Sequence, residues 1–209
     1  MISQIHSTEK TTVDLKLLLK NAIAIYKYGS AVYGTFVDGI SDEDYIVIIP
    51  NSFSHCDGEQ LVDANAQYSF YTVHTWQLML DNNAVCAMEC YFLPKQFVVK
   101  ETAKFHTNIC KEKVRKEFSS TASNSFVKCK KKLTVADSFN PRIGKKSLWH
   151  SLRILDFGIQ ILEHGQIVNY SSANYLYDGI VNADSNDWKY FQELYKPIYN
   201  SFKSKFRNI

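Results

Sequence analysis

The stretch "YGSAVYGTFVDGISDEDYIVIIP", Tyr28 to Pro50, sets Asp42, Glu43 and Asp44 directly against an apolar run. Strand alternation puts Asp42 and Asp44 on one face with Ile46 and Ile48 behind them, and Tyr45, Val47 and Ile49 on the other. Apolar residues on both faces predict a strand buried on both sides, where a solvated acidic edge fits poorly. The two aspartates have Cα atoms about 6.5–7 Å apart on a strand, so their carboxylates can converge on one small object. Like charges about 4 Å apart repel by about 4 kcal/mol at an effective dielectric near 20. Either one carboxyl keeps its proton or a cation holds both ionised. A hard divalent ion with oxygen ligands, Mg2+ or Mn2+, suits such a pair.

Just upstream, Gly29-Ser30 follows the strand-like run 22–28 and opens a brief helical segment with Gly34 near its end. Glycine lets the backbone approach a ligand closely, and a serine hydroxyl with free N–H groups can hold a phosphate oxygen. A lone Gly-Ser carries little information. Gly-Ser, about a dozen residues, and then Asp-x-Asp opening an apolar strand is a far more specific pattern.

The rest of the chain sets this stretch in an α+β layout, strands first and helices second. Residues 12–20 read as a short amphipathic helix, 37–41 as a loop and 42–49 as the acidic strand. Residues 51–66 are polar and loop-like, 67–73 a third strand, 74–81 a helix, and 87–93 a strand or strand-like end. Beyond residue 100 the periodicity becomes helical: 111–133, 144–165 ending at Gly165, and a Tyr- and Phe-rich helical tail over 170–209. The expected division is 1–100 and 101–209.

Length and composition fit a globular chain with a real core: 209 residues, 45% apolar, 22% charged. The charge is uneven. Residues 1–100 hold 6 Lys/Arg against 11 Asp/Glu, and residues 101–209 hold 18 against 10. A cation site in one half and an anion-binding surface in the other would explain this, as would solvated lysines distributed by chance. Five scattered cysteines without a CxxC argue for free thiols in a reducing compartment. No apolar signal core or run of about eighteen apolar residues appears, so a soluble, cytoplasmic protein without a membrane partner is expected.

"GSAVYGTFVDGISDEDYIV" resembles the G-S…D-x-D signature of the nucleotidyltransferases of the DNA polymerase β superfamily. Its "GSxxYG" and "SDxD" forms are similar to the predicted nucleotidyltransferases of the RNA-repair-pathway branch. "LMLDNNAVCAMECYFLP" (78–94) and "KKSLWHSLRILDFGIQILEHGQI" (145–167) resemble two later blocks of that branch, so the likeness covers residues 22–170. The resemblance implies a nucleotidyltransferase-type small mixed sheet with flanking helices, followed by a mainly helical C-terminal region. It also implies that Asp42 and Asp44 hold Mg2+ (or Mn2+) on an NTP while Gly29 and Ser30 cradle its phosphates. An acceptor hydroxyl then attacks the α-phosphorus and pyrophosphate leaves.

The superfamily's third carboxylate has no counterpart on 67–72. Glu89 matches a Glu of the family block and is the candidate third catalytic acid, although it could equally be an acid bonded to backbone or to a cation. Lys146, His150 and Arg153 share one helical face, opposite the stripe Leu148, Leu152, Leu155, Ile159 and Leu162. They read as nucleotide-binding groups facing a cleft, or as a solvated face. Residues 111–132 carry eight Lys/Arg against two Glu, with Lys128, Lys130, Lys131 and Lys132 clustered as a candidate surface for RNA or DNA phosphates, or as solvated lysines. The expected activity is NMP transfer to a hydroxyl of an RNA or DNA end. The alternatives are transfer to a protein or small molecule, and nucleotide or RNA binding without catalysis.

Overall fold

A computed structural model of the chain describes residues 14–209, so residues 12 and 13 of the expected first helix lie outside the described residues. Thirteen elements follow: α1 (Leu15–Asn21), β1 (Ala24–Tyr28), α2 (Ser30–Tyr33), β2 (Glu43–Ile49), β3 (Gln60–Asp63), β4 (Ala66–Thr72), α3 (Val73–Asp81), α4 (Val85–Tyr91), β5 (Val98–Glu101), α5 (Lys111–Thr134), α6 (Pro141–His164), α7 (Tyr177–Val181) and α8 (Trp188–Asn208). The fold is α+β: a five-stranded mixed sheet of order β3-β4-β2-β1-β5, followed by a helical C-terminal region.

β2 pairs antiparallel with β1 and parallel with β4, which makes it the central strand. Its alternation divides the interior as the sequence predicts. Ile46 and Ile48 enter the main core, whereas Val47 and Ile49 join Leu18 of α1, Cys56 and Phe70 beneath the sheet. α1 takes its start from Asp14, whose side chain accepts from the Lys16 and Leu17 amides.

Two local readings change, and one strand stands where none was expected. Residues 60–63 form β3, although the polar stretch 51–66 reads as loop. Its hairpin partner β4 supplies the ladder that a Gln-Leu-Val-Asp run cannot signal by itself. Residues 98–101 form β5 on the opposite edge, pairing with β1. The segment expected as a strand over 87–93 lies mostly in helix α4 instead. Ala87, Met88 and Glu89 favour helix, and burial of Ala87, Met88, Glu89 and Cys90 in succession mimics the apolar run of a buried strand.

The main core does not stop at residue 100. It runs from Ala24, Ile46 and Ile48 through Trp76 and Met88 to Leu148, Leu152, Phe157, Phe191 and Phe206. α6 is its axis and is buried on nearly every side from Gly144 to Ile161. Small residues let its neighbours close in. A Cβ on Gly158 would lie 2.7 Å from the Phe206 ring, and one on Gly144 would lie 3.1 Å from Leu133. No helix among the described residues is long and apolar enough to cross a membrane.

Candidate functional site

The β1–β2 register sets Tyr28 opposite Asp44, which brings the turn after β1 alongside the acidic mouth of β2. Gly29 occupies that turn with φ +69, a conformation L side chains rarely adopt, and an added Cβ would lie 2.2 Å from Asp44 Oδ2. Glycine is therefore required here on two counts, backbone conformation and space. α2 is then held from the C-terminal region, since Ser171 Oγ and Asn174 Nδ2 both donate to the Tyr33 carbonyl.

Asp42 stands at the entrance of β2 and Asp44 one strand repeat inside it. Burial pushes the Asp44 carboxyl above its ordinary range; Asp42 adds to the rise, and Lys146 opposes it. The charge of Asp42 is thus felt at Asp44. Glu43 points to the other face, where hydrogen bonds from Lys27 Nζ at 2.8 Å and the Tyr45 hydroxyl at 2.7 Å hold its carboxyl below the usual range.

Around this pair lies a cleft of about 490 Å³, lined among others by Gly29, Ser30, Asp42, Asp44, Lys146 and His150. α6 thus brings its basic face to the acidic mouth from more than a hundred residues downstream. His150 Nδ1 lies 3.4 Å from Arg153 Nη2; because a guanidinium only donates, this contact favours the tautomer with the proton on Nε2. Burial holds His150 neutral, well below its ordinary pKa, and Arg153, Lys146 and Lys128 add to the effect.

Arg153 borders the cleft but spends its charge inward. Its Nη1 donates to Glu89 Oε1 at 2.8 Å, and its guanidinium lies 3.7 Å from the centre of the Tyr33 ring. Burial opposes that charge, yet Glu89 and the Tyr33 and Tyr28 phenols hold Arg153 above its ordinary pKa. Glu89, 1% exposed, accepts on its other oxygen from the Tyr33 hydroxyl at 2.6 Å. Both of its oxygens are occupied and it does not line the cleft. The carboxylate considered as a third acid is therefore the buried partner of Arg153.

The four clustered lysines separate. Lys128 lines the cleft, while Lys130 and Lys131 are exposed and Lys132 is packed beside Gly144. At about 100° per residue, Lys130 points some 200° away from Lys128. The cleft also contains groups that sequence reading passes over: Arg142, Gln60, Gln67 and Ser69. Gln67 and Ser69 alternate on β4 directly beside Asp44 and Ile46, a relation visible only once β2 and β4 are paired. Among the described residues no group of three or more His, Cys, Asp or Glu side chains could hold a metal ion. No family model matches the sequence, and no curated protein matches it either.

Proposed function

We propose that the protein is a metal-dependent nucleotidyltransferase that moves an NMP unit from an NTP to an oxygen at an RNA or DNA end. The observation that carries this reading is the bare Cα of Gly29 against Asp44 Oδ2, beside Asp42 and Ser30 in one cleft. A side chain at position 29 would fill the space where the acids and the Gly-Ser turn meet.

Two carboxylates suit Mg2+ or Mn2+, which commonly takes one or two protein carboxylates and completes its shell with phosphate and water oxygens. Asp42 and Asp44 would hold the ion, which when bound neutralises triphosphate charge and stabilises the transferring phosphorus. Ser30 donates a hydroxyl hydrogen bond to a phosphate oxygen. Lys146 supplies a mobile positive charge on the same side, and His150 presents a neutral Nε2–H donor. Arg153 positions His150 through Nδ1, and Glu89 positions Arg153. Lys128 and Arg142 extend the positive lining, which supports a nucleic-acid acceptor. Five free cysteines suit a cytoplasmic setting.

A second reading, nucleotide binding without transfer, is favoured by one observation: both oxygens of Glu89 are spent on Arg153 and Tyr33. Each α-labelled NTP with Mg2+ or Mn2+ and an RNA pool tests both readings. Label on RNA supports the proposal, and label on the protein itself points to a protein acceptor. Tight metal-dependent NTP binding without transfer supports the second reading. Full transfer by the Asp42→Ala, Asp44→Ala double variant overturns the assignment.

A further inference from the structure

An attacking hydroxyl must hand its proton to something, and the cleft offers little to receive it. Its lining acids are Asp42 and Asp44, the two assigned to a cation. His150 Nδ1 is occupied by Arg153, leaving Nε2–H as a donor. On β4, directly beside Asp44, stands Gln67, a neutral amide with no useful basicity. One strand repeat further, Ser69 faces the same cleft beside Ile46. Gln60 Nε2 donates to Ser69 Oγ at 3.1 Å, so the serine's own proton is free to point elsewhere. Lys128, Arg142 and Lys146 line the cleft without a carboxylate partner among the described ion pairs. Beyond Asp42 and Asp44, the cleft thus presents amide and hydroxyl donors on β4 and cations on α5 and α6, and no further carboxylate. That is the chemistry of an oxyanion site.

We propose that the acceptor is a phosphomonoester, whose terminal oxygen is already ionised, held by Ser69, Gln67 and the cleft cations. The inference rests on the nucleotidyl-transfer reading and specifies its acceptor. In the step, a phosphate oxygen of the acceptor forms a bond to the α-phosphorus of the NTP. The bond from the α-phosphorus to the oxygen bridging to the β-phosphate breaks, and pyrophosphate leaves with that electron pair. The product carries a new phosphoanhydride. No proton leaves the acceptor, because the second ionisation of a phosphomonoester lies near about pH 6.

The test compares oligoribonucleotides that share a blocked 3′ end and a 3′ fluorophore and differ only in a 5′-phosphate or a 5′-hydroxyl. The 5′-phosphorylated strand is expected to bind about tenfold tighter by anisotropy, with the difference lost in the Ser69→Ala, Gln67→Leu double variant. With an α-labelled NTP and Mg2+, label is expected on the 5′-phosphorylated strand and to survive phosphatase. Ribose 5-phosphate as competitor distinguishes the sources: competition at similar concentrations assigns a small phosphomonoester, and its failure assigns a nucleic-acid end. Equal affinity for the two strands, or label on a strand bearing only hydroxyl ends, overturns the inference. Binding of each of the four Mg-bound NTPs to the wild-type protein is measured alongside, and the NTP that binds is used as the labelled donor. If one of them binds while the strands are not distinguished, this inference alone fails; if none binds, the nucleotidyl-transfer reading fails with it.

Discussion

At the residue scale, the site depends on one missing side chain and one perturbed acid. Gly29→Ala must either displace the Asp44 carboxylate or open the turn, and it adds the strain of a positive φ, about 1–2 kcal/mol. Urea unfolding should show a loss of about 2 kcal/mol or more, and metal-dependent NTP binding should disappear. Asp44 carries a different signature. Its folded-state pKa is raised, so the folded protein holds this proton more tightly than the unfolded chain does. Asp44 therefore opposes stability at neutral pH, and its cost fades as pH falls through the raised value towards the ordinary carboxyl range. Asp44→Asn should raise the melting temperature at pH 7 and lose that advantage on acidification, as paired thermal scans across pH would record. A variant less stable than wild type at pH 7 would contradict this electrostatic reading. Both residues were legible from "GS" and "DED". Glu43, the third acid in that run, lies on the opposite face of the strand, where Lys27 holds it.

At the element scale, the long helices were legible from their period, whereas the edge strands β3 and β5 were not. β2 divides its apolar residues between two cores as its pattern requires. α6 was read correctly as a helix ending at Gly165, with Lys146, His150 and Arg153 on one face. Its polar face, however, is mostly interior: Arg153 is buried against Glu89, while Lys146 and His150 meet the cleft. A helix at the centre of a core has no solvent side, so amphipathicity cannot indicate which polar groups are paired. On α5, rotation about the helix axis separates lysines that are adjacent in sequence. Lys128→Ala should weaken MgNTP or nucleic-acid binding by about three- to tenfold, while Lys130→Ala should leave MgNTP binding unchanged, as equilibrium titration of each variant would show. Equal effects from the two would mean that a diffuse charge acts, not a position in the cleft.

At the scale of the whole molecule, a buried pair joins the sheet-bearing half to the helical half. Glu89 of α4 and Arg153 of α6 are 1% and 3% exposed, and Tyr170 from the C-terminal region donates its hydroxyl to the Glu89 carbonyl. Glu89→Gln leaves the Arg153 guanidinium without a counter-charge in the core and should cost about 3–5 kcal/mol in chemical denaturation. A loss under about 1 kcal/mol would show that the pair contributes little. The sequence by itself determined the α+β order, the two-sided burial of β2, the glycine turn and the nearness of Asp42 to Asp44. These are local properties, set by residue period, backbone conformation and separations of a few residues. Only the tertiary structure decided that Glu89 is consumed by Arg153, that Lys128 and Lys130 part company, and that Gln67 and Ser69 lie beside Asp44. Those relations depend on which surfaces pack together, and burial selects charge partners by position in space, however far apart they lie along the chain.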